Sequence, residues 1–314
     1  MNYATVKNNN VSISIITLGT WAIGGNHWGP CDESKAARMI ETALDMGVNA
    51  IDTAPVYGDG HSEELIGKVI ENKRDRVFLA SKCGLDIYTN KYERNLSPAH
   101  IETDLAGSLK RLKTDYIDLY QCHWPDPKTP VGETMAALLH HQKQGKIRYI
   151  GVSNFNECQL REAIKYTPIF SLQAHYSLLE RSIETNILPL CHEHNINVFS
   201  YGSLGAGILT GKYREHPEFP KSDARSFFYR FFKKKYWPAV HRLVDTLEEL
   251  AHAKGTSTGA IALSWLIKQQ NVLSVIAGAR FPEQVVENIT DIPVELGKHD
   301  MEILDNLSKD VYKT

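Results

Sequence analysis

Short apolar segments alternate with amphipathic segments along most of the chain. Eight of the apolar segments are rich in branched side chains, and they cover residues 15–20, 48–52, 76–82, 116–123, 148–153, 170–175, 196–201 and 273–278. Strands that are apolar on both faces and alternate with helical segments predict a parallel sheet covered by helices. Eight such units on a chain of 314 residues predict an α/β fold that closes into a (β/α)8 TIM barrel, which typically needs about 250 residues.

Capping residues mark where several of the helices begin and end. Asp32 or Ser34 precedes the amphipathic segment KAARMIETALDMG, and Gly47 closes it. A left-handed glycine is a common helix end. Ser97 and Pro98 stand where an N-cap and a first helical residue are expected, so a second helix is predicted to begin there.

The residues beyond the eight units are expected at the two ends and in one long connection. Residues 1–14 predict a small hairpin ahead of the first barrel strand, and residues 202–255 predict a loop with an extra helix after strand seven. A final surface helix is predicted over residues 298–310. Because no linker or short-period repeat is found, one domain is predicted over residues 1–314. An open doubly wound sheet is the alternative, although no G-x-G-x-x-G motif follows an early strand.

Composition excludes several classes of partner. The formal net charge of −2 gives no electrostatic reason to bind nucleic acid. No charge-free apolar run of 18 residues is present, so no membrane span is expected, and the first residues lack a signal-peptide pattern. The five cysteines are scattered and form no Cys-x-x-Cys pair, which indicates a reducing, cytoplasmic location.

Polar residues at the ends of the predicted strands carry the candidate chemistry. Strand two ends in Asp52, with Tyr57 in the following loop, while strand three ends in Lys82 and strand four in His123. Active sites of such barrels form at the carboxyl ends of the strands, so these four side chains are expected to converge.

The four residue types suit one another for adding a proton to a developing alkoxide. A phenol has a pKa of about 10, and a nearby ammonium is expected to lower it, here Lys82 acting on Tyr57. Asp52 is expected to hold Lys82 charged, and a neutral His123 to hydrogen-bond a substrate oxygen. These residues supply one half of a carbonyl reduction. No side chain supplies hydride, so a nicotinamide cofactor is expected nearby.

Several motifs, in this order and spacing, resemble the aldo-keto reductase family, and in particular its prokaryotic general reductases, from about residue 11 to about residue 309. The motifs are LGTWAIGG, AIDTAPVYGDGHSEELIG, VFLASKCGL, SLKRLKTDYIDLYQCHWPDP, GKIRYIGVSNF, YGSLGAGILTGKY and GARFPEQVVENI. The resemblance implies a reductase of aldehydes or ketones. Its catalytic residues would be Asp52, Tyr57, Lys82 and His123, with Tyr57 protonating the carbonyl oxygen and His123 orienting the carbonyl.

The resemblance also implies how the cofactor is held. Ser153, Asn154 and Gln173 would hold the carboxamide, Tyr201 would stack on the nicotinamide, and the loop 202–212 would wrap the pyrophosphate with backbone N–H groups. The implied cofactor contacts are Gly19, Thr20, Trp21, Asp52, Ser153, Asn154, Gln173, Tyr201, Gly202, Ser203, Leu204, Gly207, Lys212, Gly278, Arg280, Gln284, Glu287 and Asn288.

The adenine end departs from one common version of the family pattern. Many members place Lys and Arg where this chain has Gly278 and Gln284, and Arg280 is the substitute expected to grip a 2′-phosphate. NADP is therefore the expected cofactor, with NAD left open, while Glu287 and Asn288 would meet the adenine.

The loops at the barrel mouth are expected to hold a small carbonyl compound. The implied substrate contacts are Trp21, Trp28, Tyr57, His123 and Trp124. An aromatic wall of this kind suits uncharged or weakly polar compounds. The sequence leaves the physiological substrate and the oligomeric state open.

Two further sequence signals, and two alternative functions, bear on this interpretation. CHEH at 191–194 resembles a metal cluster, but its histidines diverge on a helix, so no metal is expected. YRFFKKKYW at 229–237 interleaves basic and aromatic residues, and a lid or oligomer contact is expected there. The rival functions are a nucleotide-binding regulatory or scaffold protein on the same fold, and an NAD-linked sugar or polyol dehydrogenase.

Overall fold

The computed structural model describes residues 1–6, 11–89 and 92–313. Its strands are β1 (Tyr3–Val6), β2 (Val11–Ser14), β3 (Ile16–Gly19), β4 (Ala50–Asp52), β5 (Phe78–Cys83), β6 (Ile117–Cys122), β7 (Ile147–Ser153), β8 (Ser171–His175), β9 (Asn197–Tyr201) and β10 (Val272–Gly278). Its helices are α1 (Glu33–Asp45), α2 (His61–Ile70), α3 (Pro98–Arg111), α4 (Val131–Lys143), α5 (Glu157–Ile164), α6 (Ile187–Glu193), α7 (Ala224–Phe227), α8 (Trp237–Lys254), α9 (Thr258–Ile267), α10 (Pro282–Ile289) and α11 (Lys298–Lys313).

Strands β3 to β10 form a closed parallel barrel. Each strand pairs with the next along the chain, and β10 closes the ring on β3 with Val275 opposite Ile16. The predicted (β/α)8 barrel is confirmed, and the open doubly wound sheet is wrong. Each barrel strand lies on one of the eight predicted segments, as β5 shows by covering residues 78–83 against a predicted 76–82.

The amino-terminal end of the barrel is closed by side chains. Inside the ring, Phe78 and Phe170 flank Tyr149, whose ring centroid lies 4.3 Å from that of Phe170. Val6 and Ile13 of the β1–β2 hairpin belong to the same buried cluster. The predicted hairpin therefore covers this end, although its turn at residues 7–10 lies outside the described residues.

Local sequence signals place the helices around this ring. The Asp32 side chain accepts a hydrogen bond from the Lys35 amide at the start of α1, and Gly47 follows that helix with φ of 86°. Ser97 and Pro98 open α3 as predicted, although the Ser97 side chain makes no capping bond. The extra helices predicted after strand seven and at the C-terminus are also found, and α11 packs against α8.

No helix among the described residues is long and apolar enough to cross a lipid bilayer.

Asp118 joins three segments at the closed end of the barrel. Its buried carboxylate accepts hydrogen bonds from the guanidinium groups of Arg74 at 2.7 Å and Arg148 at 2.8 Å, and from the Leu79 amide at 3.0 Å. Removing one partner of a buried ion pair leaves the other charge without compensation.

Replacement of Asp118 by alanine is therefore expected to lower the free energy of unfolding by about 3 kcal/mol. Urea denaturation measures this change. Asp115→Ala, at an exposed position in the preceding turn, is the matched control and is expected to change it by less than about 0.5 kcal/mol. Equal stability of the two variants would contradict a structural role for Asp118.

Candidate active site

Parallel strands bring the four predicted catalytic side chains to one rim of the barrel. β4 ends at Asp52, Lys82 is the penultimate residue of β5, and His123 directly follows β6. Tyr57 reaches the same place from the loop after β4. The next residue, Gly58, has φ of 69°, and a Cβ there would overlap the Gly24 carbonyl, so only glycine lets this loop sit so close to the β3 loop.

Lys82 is the centre of the hydrogen-bond network at this rim. Its side chain is fully buried, and its Nζ donates to Asp52 Oδ2 at 2.8 Å, to the Thr53 carbonyl at 2.9 Å and to the Tyr57 hydroxyl at 3.2 Å. Burial lowers the pKa of Lys82 from its ordinary value, while the Asp52 carboxylate opposes that shift. The Tyr57 oxygen accepts from Lys82 and keeps its own proton available for a ligand.

The net shift in the pKa of Tyr57 is opposite to the expected one, although the ammonium itself acts in the expected direction. Burial raises the pKa of Tyr57 well above its ordinary value of 10.0, and the negative charge of Asp52 raises it further. Burial sets the direction of this shift, because Asp52 lies 2.8 Å from Lys82 and its charge offsets the effect of the ammonium at the phenol. The phenol therefore stays protonated at neutral pH and beyond.

His123 is held in its neutral form. Burial, and then the positive charge of Lys82, lower the pKa of His123 well below its ordinary value of 6.5. Its ring meets the Tyr57 ring edge-on, with centroids 6.0 Å apart. A neutral imidazole beside a protonated phenol presents two hydrogen-bond donors to one oxygen atom, provided the imidazole proton is on the nitrogen that faces it.

Amide side chains occupy the adjoining part of the rim. Gln173 Nε2 donates to Asp52 Oδ1 at 2.7 Å, and Asn154 Nδ2 donates to the His123 carbonyl at 3.0 Å. The Tyr201 hydroxyl donates to Asn154 Oδ1 at 2.7 Å. Asn154 has φ of 60°, a left-handed conformation that a non-glycine residue adopts at some cost and that is common at functional sites.

One cavity of about 660 Å³ opens over this rim. Every site residue predicted from the sequence lines it, apart from Lys82, which lies beneath the floor formed by Asp52 and Tyr57. Its lining includes Asp52, Tyr57 and His123 together with residues of the loop 202–212 and of the β10–α10 loop, so these three parts of the rim share one space.

The loop after β9 forms an anion-binding shape. Gly202, Gly205, Ala206 and Gly207 all have positive φ, between 54° and 92°. Residues in this conformation turn successive N–H groups toward a common centre, which favours a phosphate. A Cβ on Gly207 would overlap the Lys212 side chain, so that ammonium lies against the loop.

Arg280 makes hydrogen bonds within the protein in addition to the expected role of binding a 2′-phosphate. Its guanidinium donates to the Trp28 carbonyl at 2.7 Å and to the Pro30 carbonyl at 2.6 Å, and its backbone N–H donates to Gln284 Oε1. It thus ties the β10–α10 loop to the β3–α1 loop across the cavity. Two of its five N–H groups are used in this way, and the other three make no hydrogen bond to the part of the chain that the structure describes.

Four residues that lie at the rim were not among the site residues predicted from the sequence. Gln121 lies 3.5 Å from Asp52 Oδ1. His175 stacks on Tyr201, with centroids 5.1 Å apart, while Phe228 and Tyr229 line the cavity from the long connection after β9. His175 ends β8, so the rule that pointed to the other strand ends applies to it as well. Tyr229 opens the aromatic and basic segment 229–237 that the sequence singles out, while nothing local marks Gln121 and Phe228.

The segments 191–194 and 229–237, which the sequence also singled out, make contacts within the protein. His192 Nδ1 lies 3.2 Å from Asn271 Oδ1, and His194 lies near Glu193. In the aromatic and basic segment, Phe231, Phe232 and Tyr236 are buried, so most of its rings serve packing.

Comparison with known proteins agrees with this geometry. Residues 15–309 match the model of the Aldo/keto reductase family. Aldo-keto reductase YhdN of Bacillus subtilis (strain 168) is 42% identical over 290 residues, which cover 91% of this chain and 87% of the relative. The NADH-specific methylglyoxal reductase of Escherichia coli (strain K12) is 34% identical over 318 residues, which cover 95% of this chain and 96% of the relative.

Solved structures are similar over almost the whole chain. The glycerol dehydrogenase from Gluconobacter oxydans has a TM-score of 0.90 at 37% identity, covering 100% of this chain and 97% of that one. An aldo-keto reductase from Klebsiella pneumoniae in complex with NADPH has a TM-score of 0.76 at 27% identity, covering 98% and 95%. This chain belongs to the aldo/keto reductase family.

Proposed function

We propose that this protein reduces aldehydes or ketones to alcohols with NADPH, and that Tyr57 is the general acid. The observation that carries the proposal is the hydrogen bond of 3.2 Å from the buried Lys82 ammonium to the Tyr57 hydroxyl, at the floor of a cavity of about 660 Å³. In this arrangement the phenol accepts from Lys82 and has its own proton to donate to a ligand.

The chain's own residues move and stabilise the proton. A carbonyl oxygen placed between Tyr57 and His123 accepts a hydrogen bond from each, which polarises the carbonyl. Tyr57 passes its proton to that oxygen as negative charge develops, and Lys82 stabilises the phenolate that remains. Asp52 keeps Lys82 charged and fixed in place. When bound, the reduced nicotinamide supplies the hydride.

The residues lining the cavity fit that cofactor. The left-handed turn of the loop 202–212, with Lys212 against it, suits a pyrophosphate, and Gln173 keeps its carbonyl oxygen for a carboxamide. Arg280 at the far end has N–H groups to spare for a 2′-phosphate, which supports NADP over NAD. The similar proteins include both an NADPH complex and an NADH-specific enzyme, so NADH is the weaker alternative.

The rival functions use the same fold. A scaffold protein would bind the nucleotide without turning it over, and the complete Asp52–Lys82–Tyr57 network supports an enzyme instead. Alcohol oxidation is the same chemistry in reverse, and the similar Gluconobacter oxydans protein is a glycerol dehydrogenase. It needs a deprotonated Tyr57, so the raised pKa of this phenol favours reduction at neutral pH. Location in the cytoplasm stays a prediction.

Replacement of Tyr57 by phenylalanine is expected to remove the proton donor and leave the cavity intact. We expect kcat for the best carbonyl substrate to fall by about 10²- to 10⁴-fold, with NADPH affinity changed less than about twofold. Absorbance of NADPH measures turnover over a panel of aldehydes, ketones and quinones. A phenylalanine variant that works at the wild-type rate would show that Tyr57 is not the acid.

The pH dependence should differ between the two directions. Reduction needs the protonated phenol, and because the pKa of Tyr57 is raised, kcat should stay level between about pH 6 and pH 9. Because the pKa of His123 is lowered, this residue stays neutral in that range and its titration does not change kcat there. Oxidation needs the phenolate, so its kcat should rise with pH. A reduction rate that falls steadily from pH 6 to 9 would contradict the raised pKa.

A comparison of NADPH with NADH separates the role of Arg280 in binding the 2′-phosphate from its contacts with the Trp28 loop. Arg280→Met is expected to weaken NADPH binding by about 10- to 100-fold and NADH binding by less than about twofold, because only NADPH has the 2′-phosphate. Quenching of tryptophan fluorescence measures both affinities, and Lys298→Met, at a highly exposed lysine, is the matched control. Equal weakening of both cofactors would mean that Arg280 acts only by holding the Trp28 loop.

A further inference from the structure

Glu63 is a buried carboxylate that takes no part in the proton transfer described above. It lies in the first turn of α2 and is fully buried. Its two oxygens accept hydrogen bonds from Ser81 Oγ at 2.6 Å and from Arg111 Nε at 2.7 Å. A carboxylate is costly to bury unless it is paired and hydrogen-bonded, and both conditions are met here. Three elements, α2, β5 and α3, are therefore joined at one carboxylate.

Two of these elements adjoin the catalytic phenol and ammonium. Ser81 directly precedes Lys82 in β5, and because side chains alternate along a strand, Ser81 faces the helices while Lys82 faces the barrel. The helix α2 follows the loop that carries Tyr57, and the Ser62 amide donates to the Tyr57 carbonyl at 3.2 Å. Glu63 thus ties the segment that follows the phenol to the strand that carries the ammonium.

Arg111 packs against the same segment. Gly60 is the N-cap of α2 with φ of 98°, and a Cβ there would overlap the Arg111 side chain. Glycine adopts this conformation without strain and leaves room for that side chain. Arg111 therefore lies directly against the backbone between Tyr57 and Glu63, and its guanidinium pairs with the Glu63 carboxylate. The ion pair and the contact with Gly60 together fix the start of α2.

Strand pairing alone does not fix the phenol. The register places Asp52 opposite Ala80, but Tyr57 lies five residues beyond the end of β4. Its hydroxyl nevertheless lies 3.2 Å from Lys82 Nζ. Because a misplacement of about 1 Å in an active site lowers a rate by as much as about 100-fold, the position of the segment around Tyr57 bears directly on catalysis.

We propose that Glu63 is a positioning residue for the proton transfer. By holding the start of α2 to Ser81, it keeps the Tyr57 hydroxyl within hydrogen-bond distance of Lys82. Glu63 lies on the helix side of the sheet, so it acts through these residues and does not touch the substrate. This inference rests on the proposed function, because it assigns Glu63 a part in the same step.

Ser81→Ala is the variant that tests this role. Replacing Glu63 itself would leave the Arg111 charge without its partner and endanger folding, whereas Ser81→Ala removes only the link to β5. We expect kcat for carbonyl reduction to fall about three- to tenfold, while KM for the carbonyl compound and the affinity for NADPH change less than about twofold. Absorbance of NADPH and quenching of tryptophan fluorescence measure these quantities.

The pH profile of alcohol oxidation provides a readout that a merely structural role would not move. Oxidation needs the Tyr57 phenolate, which the Lys82 ammonium stabilises, so a longer contact between them raises the pKa of the phenol. We expect the rise of the oxidation kcat with pH to move to higher pH by about half a unit in Ser81→Ala. Asp52 and His123, the other titratable groups described beside the phenol, are unchanged in this variant.

Ser274→Ala is the matched control. Ser274 is also a buried serine on a barrel strand, and its hydroxyl donates to the Ser14 carbonyl at 2.8 Å, away from the catalytic residues. Its loss should leave kcat and the pH profile unchanged.

The outcomes distinguish this inference from the function on which it rests. Wild-type kcat and an unshifted pH profile in Ser81→Ala would overturn the role of Glu63, and so would equal losses in Ser81→Ala and Ser274→Ala. A loss confined to KM or to NADPH affinity would overturn it as well. An undiminished rate in Tyr57→Phe would instead refute the proposed function.

Discussion

A fully buried ammonium group is the constraint on which the rest of the site depends. Removing Lys82 from water is costly unless its charge is paired and its donors are used. Three acceptors meet that demand: the Asp52 carboxylate, the Thr53 carbonyl and the Tyr57 hydroxyl. The barrel supplies them because β4 and β5 are neighbours in register, with Asp52 opposite Ala80. The same pairing that stabilises the charge also positions the phenol.

The two ends of the barrel divide stability and chemistry between them. At the amino-terminal end lie stacked aromatic rings, the packed strands of the hairpin and the Asp118 ion pairs. At the carboxyl end, strand tips present polar groups to a cavity, and one residue, Asn154, is held in a left-handed conformation. A barrel tolerates polar and strained residues at one rim because the closed sheet beneath is well packed.

The sequence predicted the barrel and the convergence of Asp52, Tyr57, Lys82 and His123 at one rim, because both depend on local periodicity and on strand ends. It did not predict the sign of the Tyr57 pKa shift, since that depends on how closely Asp52 cancels the charge of Lys82 and on how deeply the phenol is buried. The contacts of Arg280 with the Trp28 loop join residues about 250 positions apart and have no local signature.

The aromatic residues of the long connection after β9 lie in two different environments. The segment 229–237 was expected to form a lid or an oligomer contact; in the structure its Phe231 and Phe232 pack in the core, while its Tyr229 lines the cavity beside the preceding Phe228. Neighbouring aromatic residues thus differ in whether they face the core or the cavity. The path of the backbone determines which of the two each side chain faces.

The most direct test of the central claim is a single turnover of carbonyl reduction by protein preloaded with NADPH, comparing wild type with Lys82→Met. Methionine fills a similar volume without the charge. If the buried ammonium holds and stabilises the phenol that gives up its proton, the rate should fall by at least about 100-fold while NADPH remains bound. An undiminished rate in the methionine variant would contradict the account.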